Sequence, residues 1–230
     1  MNFNSLKIIY EDNHLLVVEK AVNILSQADS SGDPDLLSLL KADLKERYQK
    51  PGNVYLGLVH RLDRPVGGVM IFAKTSKAAS RLSAQIRTRE FQKKYLAVLH
   101  GKPAAANGEL RHYLLKDSKS NQVTVYSRPV PGAKEGLLEY KVVESNHDLT
   151  LIRVDLHTGR SHQIRAQFAF IGHPLFGDQK YGAGLAKPGE QIALWSEEIR
   201  CLHPTKNELM VFDLQPPKMT PWDQFSLFSE

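Results

Sequence analysis

The 230-residue chain has a single cysteine, Cys201. One thiol can neither close an internal disulfide nor supply a multi-cysteine zinc site, so no staple of either kind is expected and Cys201 itself is expected to be inert. Long apolar runs are also missing: charged residues interrupt every longer hydrophobic stretch, which argues against a spanning helix or a membrane partner. The first residues, MNFNSLKIIYEDNHLLVVEK, lack a basic region followed by an apolar core and a small-residue cleavage site, and a cytoplasmic protein is expected. There is no repeat, low-complexity tract or obvious linker, nor any phosphate-loop or dinucleotide pattern. Hydrophobic residues at 42%, charged residues at 24% and a mean hydropathy of −0.34 are those of an ordinary folded protein and speak against disorder.

What is present is a lopsided charge. The net charge of +5 favours a polyanionic partner only weakly. Its distribution says more. Residues 60–102 hold 10 basic and 2 acidic side chains, against 6 and 8 in residues 1–59 and 14 and 15 in residues 103–230. The whole positive excess therefore sits in one stretch, which makes a phosphate-rich partner the leading reading.

The hydrophobic pattern predicts an α+β fold. KIIYE and LLVVEK read as a hairpin turning at Asp12-Asn13. A helix starting at Asp33-Pro34 carries Leu36, Leu37, Leu40 and Leu44 and ends before Pro51-Gly52. Strands are predicted at 54–60 and 67–74, the second buried on both faces, with HRLDRPVGG as the loop between them. Thr75 is placed to cap a helix running to about Arg89, with Ala79, Leu82 and Ile86 on its inner face. Further strands are predicted at 93–101, 122–127, 137–144, 149–157, 192–196 and 209–213. Between the fourth and fifth of these a helix from Ser161 to Ile171 buries Ile164, Phe168 and Ile171, ends at Gly172 and leaves Arg165 beside the buried stripe.

Asp63 stands between Arg61 and Arg64 in a loop followed by Gly67-Gly68, where backbone can approach a ligand closely. Neighbouring cations favour an ionised carboxylate, which can serve as a nucleophile or base. A carboxylate that merely pins its loop through an arginine pair fits the same spacing, and spacing leaves both readings open.

HRLDRPVGGVMIFAKT resembles the signature of the RluA-type RNA pseudouridine synthases, and the resemblance continues through FQKKYLAVLHG (91–101), LHTGRSHQIRAQF (156–168) and GHPLFGDQKYG (172–182). Four ordered blocks spanning about residues 6–215 are far more specific than one short motif. The resemblance implies a pseudouridine synthase fold, a long, mixed, mainly antiparallel sheet with flanking helices and a central RNA-binding cleft. It also implies an isomerase that flips a uridine of transfer or ribosomal RNA from its stack and rejoins the base to the ribose through carbon 5. Asp63 is then the essential catalytic carboxylate, Tyr95 lies against the target base, Arg165 pairs with the aspartate and Arg61 helps to extrude the base. Such a rearrangement needs no cofactor or metal. Whether the aspartate attacks the sugar, attacks the uracil ring or removes a ribose proton stays open. One departure is visible, because Gly67 stands where the family usually has serine; with Asp63 intact, the loss of that hydroxyl is expected to be tolerated. The hairpin begins near residue 6, so a single catalytic domain over residues 1–230, monomeric and without a separate N-terminal RNA-binding module, is expected.

Other polar residues have plainer readings. His157 and His162 are expected to be hydrogen bonders rather than zinc ligands, and Ser161 a helix cap rather than a hydrolase nucleophile. Arg81, Arg87, Arg89, Lys93 and Lys94 are matched over 81–102 by one acidic residue, Glu90, and are expected to meet RNA phosphates rather than form only a solvated face. Arg64, Arg160 and His162 are expected to join them. The rival readings are a non-catalytic RNA-binding protein and a metal-dependent phosphoesterase, the latter undermined by the lack of a carboxylate–histidine cluster.

Overall fold

The structure is a computed structural model describing residues 6–182 and 184–228. It divides into two compact units, Met1–Gln92 with Ser196–Gln215, and Lys93–Trp195 with Pro216–Glu230. No helix among the described residues is long and apolar enough to cross a membrane.

In the first unit β1 (Lys7–Glu11) and β2 (Leu15–Lys20) form the expected hairpin. Its turn is set by Asp12, whose carboxylate accepts from the His14 and Leu15 N–H groups at 2.7 Å each. Helix α1 (Leu36–Arg47) is capped by Asp35, which accepts from the Ser38 N–H at 3.0 Å. Strand β4 (Gly67–Ala73) is buried at all seven positions, as its unbroken apolar run predicts, and pairs antiparallel with β2. Helix α2 (Ser76–Thr88) begins at Thr75, whose hydroxyl accepts from the Ala78 N–H, and ends with Arg89 in the left-handed conformation. The strands lie in the order β1, β2, β4, β10 (Leu194–Leu202), with β11 (Leu209–Asp213) antiparallel on β10. Leu15, Val17, Val69, Ile71, Leu82 and Ile199 meet in the core.

The strand expected over 54–60 is a correction: only Gly57–Leu58, β3, pairs with β4. Beyond Leu58 the chain leaves the ladder, and the Ile71 N–H of β4 is taken by the His60 ring at Nε2, 3.0 Å away. A side chain thus does what a strand carbonyl would have done, and the backbone is released into the HRLD loop.

The second unit is a sheet in the order β5 (Gln92–His100), β9 (Leu149–Leu156), β8 (Lys134–Asn146), β6 (Asn107–Asp117), β7 (Gln122–Tyr126), each strand antiparallel to its neighbour. Helix α3 (Gln163–Phe170) packs with β6 and β7, and its fully buried Phe168 meets Tyr140 edge to face at 5.4 Å. The long strand β6 had no expectation: of its eleven residues only Leu114 is buried, so the alternation that betrays a half-buried strand is faint. Ser161 is not the cap of α3. That place is taken by His162, left-handed at φ 50°, with no side-chain cap bond; instead the Gln163 carbonyl oxygen Oε1 accepts from the Arg160 N–H at 3.1 Å and the Thr158 hydroxyl at 2.8 Å. Ile171, expected on the buried stripe, lies just past the helix and is only partly buried, before Gly172 ends the turn at φ 85°.

Candidate active site

The first unit carries Arg61, Asp63, Arg64, Arg87 and Arg89; the second carries Lys93, Lys94, Tyr95, Arg160, His162 and Arg165. Asp63 sits half-buried in the loop from β3 to β4. The backbone around it is clamped on both sides. Ahead of it the Ser26 hydroxyl donates to the Leu62 carbonyl at 2.7 Å and accepts from the Leu62 N–H at 3.2 Å. Behind it the Val66 N–H closes a turn on the Asp63 carbonyl at 3.0 Å.

Beneath that turn lies Lys20, at 0% exposure. Its ammonium donates to the carbonyls of Ala21, Arg64 and Val66 at 3.1, 3.0 and 2.7 Å, using all three protons. Burial pushes the Lys20 amine down to about 7, against the pull of the Asp63 carboxylate, which favours the charged form, and with a further push from Arg64. Gly68 then takes φ 118°, and a Cβ there would overlap the Ser196 carbonyl, so this return into β4 requires glycine.

Arg64 is exposed and turns to Asp33, 2.6 Å away, and to the Asn23 carbonyl at 3.3 Å. Arg61, Arg87 and Arg89 are exposed, the latter two at the end of α2.

On β5, Tyr95 is buried and lies opposite Val154 of β9, while Lys94 lies opposite Asp155. Lys93, two residues from Tyr95, shares its face of the strand. Burial lowers the Lys93 amine, and its Nζ stands beside Gly159, where a Cβ would come within 3.2 Å of it. Arg160, exposed next to that glycine, donates from Nε to the Glu135 carbonyl at 2.9 Å.

Arg165 does not merely flank the buried stripe of α3; it is part of it, at 6% exposure. Its Nε and Nη2 donate to Oδ2 and Oδ1 of Asp178 at 2.8 and 2.7 Å, the two-point geometry that a guanidinium and a carboxylate favour. Asp178 is fully buried and also accepts from the Lys180 and Tyr181 N–H groups at 2.9 and 3.1 Å. Burial alone would raise its carboxyl, but Arg165 and these N–H groups outweigh that and hold it below the usual carboxylate range. The Tyr181 ring lies 5.3 Å from the guanidinium carbon of Arg165, and its hydroxyl meets the His162 Nδ1 at 2.8 Å and the Val123 N–H at 2.9 Å. Among the described residues no group of three or more His, Cys, Asp or Glu side chains could hold a metal ion.

Residues 14–170 match the family described as RNA pseudouridylate synthase. The chain belongs to this family. It is accordingly an isomerase that acts on RNA. Among its relatives are an uncharacterized RNA pseudouridine synthase of Bacillus subtilis, YhcT, 32% identical over 94% of this chain and 70% of that protein, and the dual-specificity RNA pseudouridine synthase RluA of Haemophilus ducreyi, 31% identical over 92% and 93%. The fold is that of the solved human RNA pseudouridylate synthase domain containing 4, with a TM-score of 0.77 over 97% of this chain and 90% of that one at 20% identity.

Within this synthase four residues of the two networks escaped the sequence reading: Ser26, Lys20, Asp178 and Tyr181. The last two lie inside the block GHPLFGDQKYG, where Asp178 follows a glycine and precedes Tyr181 by three residues, a local pattern that the sequence does display. Lys20 ends the apolar strand LLVVEK and gives no sign in sequence that its head is buried.

Proposed function

We propose that this synthase converts one or more uridines of transfer or ribosomal RNA to pseudouridine, with Asp63 as the essential carboxylate acting on a flipped-out base. The observation that carries the reading is the way the HRLD loop is held. Ser26 and Lys20 clamp its backbone and Arg64 turns to Asp33, so the loop does not need an Asp63–Arg64 pair to keep its shape. A carboxylate on a pre-set backbone suits a reaction that demands exact placement.

In this reading Tyr95 offers a face to the uracil and Arg165 holds the aspartate ionised and aimed. Arg61 fills the place of the extruded base, and Arg64, Arg87, Arg89, Lys93, Lys94, Arg160 and His162 contact the RNA strand. The bond from ribose carbon 1′ to the ring nitrogen breaks, the bond to carbon 5 forms, and the proton leaving carbon 5 is balanced by one gained at the nitrogen. Nothing in that balance calls for a redox cofactor. Both units serve as one catalytic domain over residues 1–230, acting as a monomer in the cytoplasm.

The test is to map pseudouridines in total RNA from cells carrying the wild-type gene, no gene, or the Asp63→Asn variant. The expected result is one or more positions modified only with wild type, while purified Asp63→Asn still binds the same RNA. Wild-type-like product from Asp63→Asn, or a map that does not change on removing the gene, would overturn the proposal.

A further inference from the structure

The second unit carries a device that the reaction outlined above does not itself assign. The guanidinium of Arg165 is held at two of its nitrogens by the fully buried Asp178 and covered on one face by Tyr181. Asp178 is in turn fixed by two backbone N–H groups of its own turn, and Tyr181 is fixed through its hydroxyl by the Val123 N–H of β7 and by His162 at the start of α3. Asp178 and Tyr181 of the segment 177–182 thus both bear on the position, plane and charge compensation of Arg165.

From this geometry we infer that Asp178 and Tyr181 are positioning residues of the synthase, acting on the reaction through Arg165. The argument is one of freedom removed. An arginine side chain on a helix has several rotatable bonds, and a group that must meet a transition state cannot settle among its rotamers during turnover. A carboxylate that engages Nε and Nη2 together leaves one orientation of the guanidinium plane, and an aromatic ring over that plane blocks rotation out of it. Asp178 also compensates the arginine's charge locally, so the cation is tolerated at 6% exposure before any RNA arrives. The inference explains why HTGRSHQIR and GHPLFGDQKYG occur together: the first supplies the arginine and the histidine, the second the carboxylate and the ring that hold them.

This rests on the reading that Arg165 takes part in the reaction, and the experiment separates the two. Asp178→Asn, Tyr181→Leu and Arg165→Lys are prepared in the full chain. For each, single-turnover pseudouridine formation at saturating RNA, the dissociation constant for that RNA, and the nitrogen-15 signal of the Arg165 Nε–H are measured. Arg165→Lys is expected to lose activity. Asp178→Asn is expected to lower the single-turnover rate by about a hundredfold, the scale of an ångström of misplacement, with RNA affinity within about threefold of wild type and a shifted, faster-exchanging Arg165 signal. Tyr181→Leu, which keeps the carboxylate, is expected to lose about tenfold in rate and to keep its affinity, and it carries the test should Asp178→Asn fail to fold. Full rate in Arg165→Lys would remove the reading of Arg165 and the inference with it. An inactive Arg165→Lys beside full rate in folded Asp178→Asn or in Tyr181→Leu would overturn the inference alone.

Discussion

Replacing Lys20 by methionine separates the stability of the fold from the placement of Asp63. Methionine fills similar space without the ammonium, so the carbonyls of Ala21, Arg64 and Val66 lose their donor. Each buried acceptor left alone costs roughly 1–3 kcal/mol. Against this, the folded state no longer carries a desolvated ammonium, whose penalty is itself several kcal/mol. The two nearly cancel, and Lys20→Met is expected to fold with a net loss within about 3 kcal/mol, or a fall in Tm of about 10 °C or less for a chain of this size. Activity follows a different account. Two of the three carbonyls belong to Arg64 and Val66, one and three residues after Asp63, and once they are released the turn carrying the carboxylate can shift. A fall of about a hundredfold in single-turnover rate at saturating RNA is expected, with RNA affinity little changed.

The pH dependence of stability checks the same group. The Lys20 amine titrates near 7 in the fold and near 10.5 when unfolded, so between these values the unfolded chain binds more protons. Stability contributed by this site therefore rises with pH across the window from about 7 to 10.5, the cost of burying the ammonium being full below it and gone above it. Urea titrations of wild type and Lys20→Met at pH 6.5 and 9.5 should show the variant's deficit growing at the higher pH. A wild-type rate in Lys20→Met, or a deficit that shrinks as pH rises, would refute the reasoning.

Changing Arg87, Arg89, Lys93 and Lys94 together to glutamine should weaken RNA binding and reduce the slope of log affinity against log salt by about 3, read by filter binding over a salt series, while the rate at saturating RNA holds. Gly68→Ala should cost several kcal/mol or prevent folding, because φ 118° is strained for alanine and the Ser196 carbonyl occupies the space its methyl needs; circular dichroism during urea unfolding reads this directly.

Much of the framework was legible in sequence because it rests on local chemistry. Asp12 and Thr75 mark a turn and a cap by side-chain bonds to neighbours two or three residues on, and the unbroken apolar run of β4 announces a strand covered on both sides. Where local pattern and tertiary demand diverged, the pattern misled. The run VYLGLVH has the composition of a strand, yet the ladder stops at Leu58 since His60 takes the Ile71 N–H. Ser161 has the chemistry of a cap, but His162 takes that place without a side-chain cap bond, and the Gln163 side chain reaches back to tie down the Arg160 N–H of the preceding turn. The candidate site was legible as motif letters only. Periodicity reports which face of an element is apolar; it does not report which polar group inside that face is partnered, and Lys20, Asp178 and Arg165 are all polar groups in buried positions.

The two proposed reacting groups are secured in different ways, and the difference bears on how each can fail. Asp63 is secured through its backbone: Ser26 and Lys20 grip the carbonyls and N–H groups around it. Arg165 is secured through its side chain, by Asp178 and Tyr181, at the far end of a flexible stem. A backbone clamp fixes where the carboxylate starts but does not by itself fix its short side chain, which has two rotatable bonds. A side-chain clamp fixes the guanidinium whatever small shifts the helix makes. Damage to the first clamp should therefore be felt as displacement of a whole turn, with effects spread over Asp63 and its arginine neighbours. Damage to the second should be felt at one side chain and leave α3 in place. Hydrogen exchange distinguishes them: Lys20→Met should speed exchange at the Val66 N–H, which closes the turn on Asp63, whereas Tyr181→Leu should leave the α3 amides protected while activity falls.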